Sequence, residues 1–489
     1  MGITVERFEA RAAHIPVHGI GLSVDVFSPD VLALYQALDV AAVPPAYLEL
    51  FKAPTRELAR VRTALPDVPL TYHAEGLWLM DPAMREETPW REAVETVARH
   101  AEAIGAGWVN HECAGKQIGG YSFGTYLPPI FTNAAAQAVA ENVIVAQETV
   151  DEWYVQAGHP DATPLFLLEL PPLTYFGIGD LPVSEFFARV VERVSCGLVL
   201  DIGHLWTHWR YREHRRGRSL EAFTEAFCAT FPLDRVIQIH LAGLGLHDTD
   251  TCDTRHKTIG ENNRFPRWID KHEAPVLDVL FDLLQHILGQ PGLTALKGIA
   301  LEVDGKAIPT IMEEFGRLRG TVTRNVFGHV QEKKERVHGA TGRDAHEGTL
   351  PDLYEAYARV VSGQEALETS LPAPLAQDLN PEGLHRYITS YLPHELLCWG
   401  GDLAELFPTI WASLEARGIA PMDFVRCWFR QSRPVIAQYD FFSLKLERWV
   451  EFVGDVAPDL LEQAQYEAVR LREVHADLND EAVTVERLG

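Results

Sequence analysis

Residues 196–209 read CGLVLDIGHLWTHW. Leu198, Val199 and Leu200 form a short apolar run that reads as a buried strand, and the run stops at Asp201 with His204 three residues on. One strand built for a dry core and ended by a carboxylate and an imidazole says little. The same ending recurs along the first two-thirds of the chain, and that recurrence decides the fold.

Eight apolar or β-branched runs bounded by Gly, Pro and polar residues read as strands: 19–27, 47–51, 69–75, 108–114, 164–171, 197–204, 236–243 and 298–304. Helical patterns lie between them, among them 55–65, 90–105, 133–158, 183–195, 220–231 and 276–289. Strand–helix alternation requires a parallel sheet with helical crossovers. Eight repeats predict a (β/α)8 TIM barrel over residues 1–325. The competing doubly wound sheet would carry a Gly-rich phosphate loop after its first strand, and none is present.

In a barrel the C-terminal ends of all strands meet at one mouth. The chain places there Glu49, His73, Glu75, His111, Glu112, Glu169, Asp201, His204, His240, His247, Glu302 and Asp304. WIDKHEAPV (268–276) adds Asp270 and His272 two residues apart; if extended, that pair points to one face and suits chelation. Burying several such ions together costs several kcal/mol for each left uncompensated, and cations at the centre are the simplest compensation. Oxygen and imidazole donors without a thiolate cluster suit iron, manganese or zinc. There are more donors than one ion takes, so two or three ions are expected. Glu75, Glu112, His247 and Asp304 suit supporting hydrogen bonds behind the ligands.

The chain has 489 residues, 47% of them apolar, and its 69 acidic against 43 basic residues give a net charge of −26. Such a balance opposes non-specific nucleic-acid binding, whose footprint is basic. Six scattered cysteines without a CxxC pair suggest reduced thiols, the N-terminus lacks an apolar signal core, and no run is long enough for a membrane helix. A cytoplasmic protein is expected, with neither nucleic acid nor membrane as partner.

After about residue 322 the character changes. Residues 326–349 are polar, charged and Gly-containing and read as a linker or exposed loop. Residues 350–489 are mostly helical in pattern and predict a smaller all-α C-terminal domain. Its aromatics, Trp399, Trp411, Trp428, Phe429, Phe441, Phe442 and Trp449, are expected in its core.

Several segments together resemble the multinuclear non-haem iron-dependent oxidative enzymes, the family that includes the methanobactin-maturing enzyme. The best matches are IHLAG (239–243), IDKHEAPV (269–276) and LLELP (167–171). LDIGH (200–204), VNHE (109–112) followed by YLPP (126–129), and GIALEVD (298–304) also fit, in family order across residues 15–320. The resemblance implies a sugar-isomerase-like barrel holding two or three irons, as a mixed Fe(II)/Fe(III) set, with dioxygen as co-substrate. It puts His73, His111, Glu169, Asp201, His240, Asp270, His272 and Glu302 on metal-ligand positions. Of these, Glu169, Asp201 and Glu302 are expected to take part in catalysis as well. His204 stands where the family often has Asn; imidazole ligates there too, so the choice between two and three metals stays open. TYHAEG (71–76) departs most from the family pattern.

The activity implied is oxidation of a ribosomally made precursor peptide, at a side chain such as Cys or Asp. Such enzymes often act with a small helical partner that presents the peptide. Residues 350–489 are then either a fused presenter or a buttress for the barrel. Three other functions compete: a divalent-metal sugar isomerase or epimerase on the same barrel, using Mn or Mg; a trinuclear zinc phosphodiesterase, which the net charge opposes; and a non-catalytic peptide- or partner-binding protein, which the full set of candidate ligands opposes.

Overall fold

The computed structural model describes residues 3–84, 88–247, 268–322, 326–327, 349–376, 379–430 and 440–479. Twelve strands occur among them. β1 (Gly19–Val24), β2 (Leu48–Phe51), β3 (Leu70–His73) and β4 (Trp108–Glu112) are followed by a hairpin of β5 (Gly115–Ile118) and β6 (Tyr121–Leu127). Then come β7 (Leu165–Glu169), β8 (Gly197–Asp201), β9 (Val236–Leu241), β10 (Leu244–Leu246), β11 (Trp268–Asp270) and β12 (Gly298–Glu302).

Eight of these close into a barrel in the order β1-β2-β3-β4-β7-β8-β9-β12, with every pairing parallel. They are the eight expected strands. Helices cross over between them, including Thr55–Ala64, Thr88–Ile104, Asn133–Gln156, Val183–Arg193, Leu220–Thr230 and Asp278–Leu288. Helix Val183–Arg193 shows why the sequence folds so: Val183, Phe186, Phe187, Val190 and Val191 recur at helical spacing and are all buried against the sheet.

Strand parity sorts the barrel interior. Trp108, Leu165, Leu167, Val199 and Ala300 form an inner apolar cluster with Tyr47, which precedes β2. Phe8, Ala12 and Ile15, from the N-terminal helix Ile3–His14 and just after it, join that cluster and stop the barrel's N-terminal end. Two residues further along each strand the interior turns polar, because successive inward positions are i, i+2, i+4.

Two local readings need correction. The sixth strand was expected to run to His204, but β8 ends at Asp201 and Ile202–His208 is a helix. Asp201 is its N-cap, accepting the His204 backbone N–H at 2.5 Å, and a carboxylate placed three residues before its donor is a helix-start signal. Asp270 and His272 are not on one extended segment either: β11 ends at Asp270 and the chain turns through His272.

The C-terminal region is helical throughout its described residues, from Leu350–Val361 to Leu461–Asn479. It packs on loops at the barrel mouth. The Trp428 indole N–H donates to the Ser122 carbonyl at 2.7 Å, and Thr125 Oγ1 lies 3.2 Å from the Tyr391 hydroxyl. Its apolar residues and those around the barrel form one continuous cluster. Trp411, Trp428, Phe429, Phe441 and Trp449 are buried in it as expected; Trp399 is not, standing 55% exposed. Residues 328–348, most of the expected linker, and Cys252 lie outside the described residues; among the described residues the other five cysteines form no disulfide. Among the described residues no helix is long and apolar enough to cross a membrane.

Candidate metal centre

The inward-facing strand ends meet. Glu169, at the end of β7, stands at the centre: its Oε2 lies 3.5 Å from His73 Nε2, and its Oε1 lies 3.3 Å from His240 Nδ1 and 3.6 Å from His204 Nδ1. The Asn110 amide donates to Glu169 Oε2 at 2.5 Å. His240 Nδ1 also lies 3.3 Å from Glu302 Oε1. His272 Nε2 lies 3.3 Å from both Asp270 Oδ2 and Glu302 Oε2, and His204 Nε2 lies 3.3 Å from Asp270 Oδ2. Asp201 is shared by two triads, with Glu169 and His204 and with His240 and Glu302; in each, one donor atom per residue lies within 4.8 Å of the others.

The imidazoles are oriented alike. The Nδ1–H of His73 donates to the Ala74 carbonyl at 3.2 Å, that of His204 to Leu170 at 2.6 Å, and that of His272 to Asp304 Oδ2 at 3.0 Å. Each bond leaves Nε2 unprotonated in the neutral ring and directed at carboxylates, the orientation metal-bound histidines take. Asp304 also accepts the Asp25 backbone N–H at 2.7 Å, so it supports His272 from behind.

His111 is placed differently. Parity along β4 sends Trp108, Asn110 and Glu112 one way and His111 the other. Its Nδ1–H donates to the Glu112 carbonyl at 2.7 Å, and its Nε2 accepts the Leu77 backbone N–H at 3.1 Å. Glu49, which the sequence reading left outside the main set, is drawn in: its Oε1 lies 2.9 Å from His240 Nε2. Position two residues past buried Tyr47 was the signal that marked it. Glu75 pairs with Lys116 and accepts the Tyr126 hydroxyl at 3.4 Å, and His247 Nδ1 lies 3.1 Å from the Tyr175 hydroxyl.

The donors fit cations. Asp201 Oδ2, His204 Nε2, His240 Nδ1, Asp270 Oδ1 and Glu302 Oε2 are buried with no hydrogen-bond partner, although such atoms nearly always have one. The electrostatics agree. Burial alone would keep His73 neutral, but Glu169, Glu49 and Glu112 outweigh it and lift its pKa to about 9. His204, His240 and His272 are raised in the same way by the carboxylates around them, against burial. Burial, with Glu302, Asp270 and Glu169, pushes Asp201 up to about 7, despite the opposing pull of His204. Five carboxylates (Glu49, Glu169, Asp201, Asp270 and Glu302) thus demand positive charge; two divalent cations offset four of those charges and three offset all five. The inner groups are sealed, with Glu169, Asp201 and His240 side chains at most 1% exposed, while Asp270 and His272 are 18% and 26% exposed. The centre opens on that edge.

A closed parallel barrel with such a cluster at its mouth is a TIM barrel built around a candidate multinuclear metal site. A family model described as "RiPP precursor modification enzyme MbnB/TglH/ChrH" matches residues 17–322, well over half of the chain, and the chain belongs to that family. It is 25% identical over 241 residues to a UPF0276 protein of Paraburkholderia phytofirmans, an alignment covering 49% of this chain and 66% of that protein. A UPF0276 protein of Anaeromyxobacter sp. (strain Fw109-5) is 26% identical over 46% of this chain and 71% of its own length. Among solved structures, endonuclease IV from Thermus thermophilus aligns with a TM-score of 0.37 and 18% identity, covering 62% of this chain and 98% of its own. A sugar phosphate isomerase/epimerase from Parabacteroides distasonis aligns at 0.36 and 12%, covering 61% and 93%.

Proposed function

We propose that this chain is an iron- and dioxygen-dependent oxidoreductase that modifies a ribosomally made precursor peptide, at a side chain such as Cys or Asp, using two or three irons at the barrel mouth. Membership of a family described by precursor modification supports the peptide substrate. The observation that carries the metal centre is the set of buried, partnerless donor atoms around Asp201 and Glu169. His73, Glu169, Asp201, His204, His240, Asp270, His272 and Glu302 would hold the ions, with Glu49 beside them; His111 belongs to the set only if Leu77 gives up its bond. Iron held there would supply one-electron chemistry with dioxygen.

The chain's own residues do the rest. Ala74, Leu170 and Asp304 fix the imidazoles so that Nε2 faces inward. The sealed inner carboxylates exclude water, and the Asp270–His272 edge admits a substrate side chain. Residues 350–489 would present the peptide, since Tyr391 and Trp428 dock on the mouth hairpin and exposed Trp399 lies 5.7 Å from the Lys116 ammonium. The test is anaerobic purification, metal analysis, and oxygen uptake with candidate precursor peptides. Bound iron and peptide-dependent oxygen consumption support the reading. Manganese without oxygen uptake would favour the isomerase, and metal-free protein that still binds peptide would favour the binding role.

A further inference from the structure

A cavity with a volume of about 360 Å³ lies away from the metal centre, on the barrel flank between helices Val183–Arg193 and Leu220–Thr230. The wall facing the barrel is the end of helix Ile202–His208 and the π-helical turn Trp209–Glu213. The segment WRYREHRRGR (209–218) puts five arginines into ten residues of a chain whose net charge is −26.

Arg212 is the key group. It is 8% exposed and lines the cavity; its guanidinium donates to the backbone carbonyls of Gly179 at 3.2 Å and Leu181 at 3.4 Å and stands 5.5 Å from the centre of the Phe131 ring. Its Nε is buried without a hydrogen-bond partner, and Glu213 and Asp180 act on its charge without forming a salt bridge with it. Burial, and secondarily Arg216, lowers it only to about 10, so it stays charged at neutral pH. A buried unpaired cation is costly unless an anion completes it.

Three further features point to the same ligand. His208, 1% exposed, lines the cavity; its Nε2–H donates to the Pro171 carbonyl at 2.9 Å, which leaves Nδ1 a bare acceptor with no partner. The eleven-residue helix Val183–Arg193 begins at this cavity after Pro182, which offers no side-chain cap, and helix N-termini favour anions. Arg216 and Arg218 stand at the rim, held by Glu213. Of the other acids that line the cavity, Glu185 lies 4.0 Å from Arg189 and Asp180 is exposed.

We propose that this cavity binds a phosphoryl group that still carries a proton, as inorganic phosphate or as the head of a small phosphate monoester. Arg212 takes the buried oxygens and the rim arginines take the outer ones. The phosphate O–H donates to His208 Nδ1, a bond that fully ionised sulfate cannot make. Phe223 and Phe227 line the cavity and would cover the body of an ester.

The test is calorimetric titration of the full-length protein with inorganic phosphate, phenyl phosphate and sulfate at about pH 5.5, where a phosphate monoester, with its second pKa of about 6, is largely the proton-carrying monoanion and sulfate carries no proton. Phosphate or phenyl phosphate should bind more tightly than sulfate; a tighter phenyl phosphate identifies the monoester as the natural form, and equal affinities identify free phosphate. Arg212→Gln should weaken binding about 10–100-fold, the loss of a charged hydrogen-bonding group. Should that variant fail to fold, the exposed pair Arg216→Gln/Arg218→Gln should weaken binding at least about threefold with an unchanged far-ultraviolet spectrum. Sulfate binding as tightly as phosphate, no binding at millimolar ligand, or unchanged affinity in these variants overturns the assignment.

Discussion

Asp201 meets His204 twice over: its Oδ1 accepts the His204 backbone N–H at 2.5 Å as a helix cap and lies 3.8 Å from the same residue's Nδ1, while its Oδ2 stays buried without a hydrogen-bond partner. One carboxylate therefore starts the helix and serves both candidate metal triads. The two roles separate by substitution. Asp201→Asn keeps a capping oxygen but loses the charge, so it should fold normally and retain fewer metal ions per chain. Asp201→Ala should lose the metal and in addition about 1 kcal/mol of stability through the missing cap. Metal-to-protein ratios and urea unfolding of the two variants check this; full metal content in Asp201→Asn would remove Asp201 from the centre.

The raised imidazoles set opposite pH slopes for metal-free and metal-loaded protein. In the metal-free fold His73 titrates near 9 instead of 6.5, so the folded state holds an extra proton in between. That contribution to stability is complete below about pH 6.5 and is lost as pH climbs through 9; His204, His240 and His272 act in the same direction. Metal binding needs neutral rings and must expel those protons, so affinity should rise about tenfold per pH unit for each proton released. Thermal melts from pH 6.5 to 9 with and without metal should therefore diverge. Parallel slopes, or calorimetry without proton release to buffer, would contradict the arrangement.

Parity along the strands makes a sharper comparison. Glu49 sits two residues past inward-facing Tyr47 and reaches His240, whereas His111 falls on the opposite parity of β4 and its Nε2 accepts the Leu77 backbone N–H. Glu49→Gln should lower metal affinity about 10–100-fold, the usual cost of disturbing a group that ligates or orients a ligand. His111→Gln, which can keep an acceptor for the Leu77 N–H, should cost less. Competition with a chromogenic chelator ranks the two, and a larger loss in His111→Gln reverses the reading of β4.

The barrel was legible because short apolar runs and intervening helical patterns survive in each β/α unit, from GLVLD (197–201) to VSEFFARVVER (183–193). The cluster was legible because polar residues at strand ends must converge once the barrel closes. What escaped notice was local or long-range. Marking Asp201 and His204 as metal-binding types hid the helix start that Asp201 also signals. Asp270 and His272 come together through a turn and not through the extended geometry that would put both on one strand face, because β11 pairs with β10 only as far as Asp270. The docking of the C-terminal helices on hairpin β5–β6 depends on contacts more than 200 residues apart, such as Thr125 with Tyr391, which no window of sequence contains.

That docking gives the test of peptide presentation. The core of the helical region runs on into the mouth hairpin, so cutting at residue 350 would strip apolar cover from the barrel as well as removing a presenter. Gly124 offers a finer lever. Its φ of 68° favours glycine, and a Cβ there would meet the Phe441 ring at 2.5 Å. Gly124→Ala should cost about 1–2 kcal/mol from the backbone and about 1–3 kcal/mol from overpacking, loosening helix Phe441–Val456 from β6. None of the metal donors touches this contact. If residues 350–489 present the substrate, the variant should keep its metal content and lose at least about tenfold in affinity for a labelled precursor peptide, with faster amide exchange confined to residues 441–456. Undiminished affinity alongside that faster exchange would reduce the helical region to a buttress.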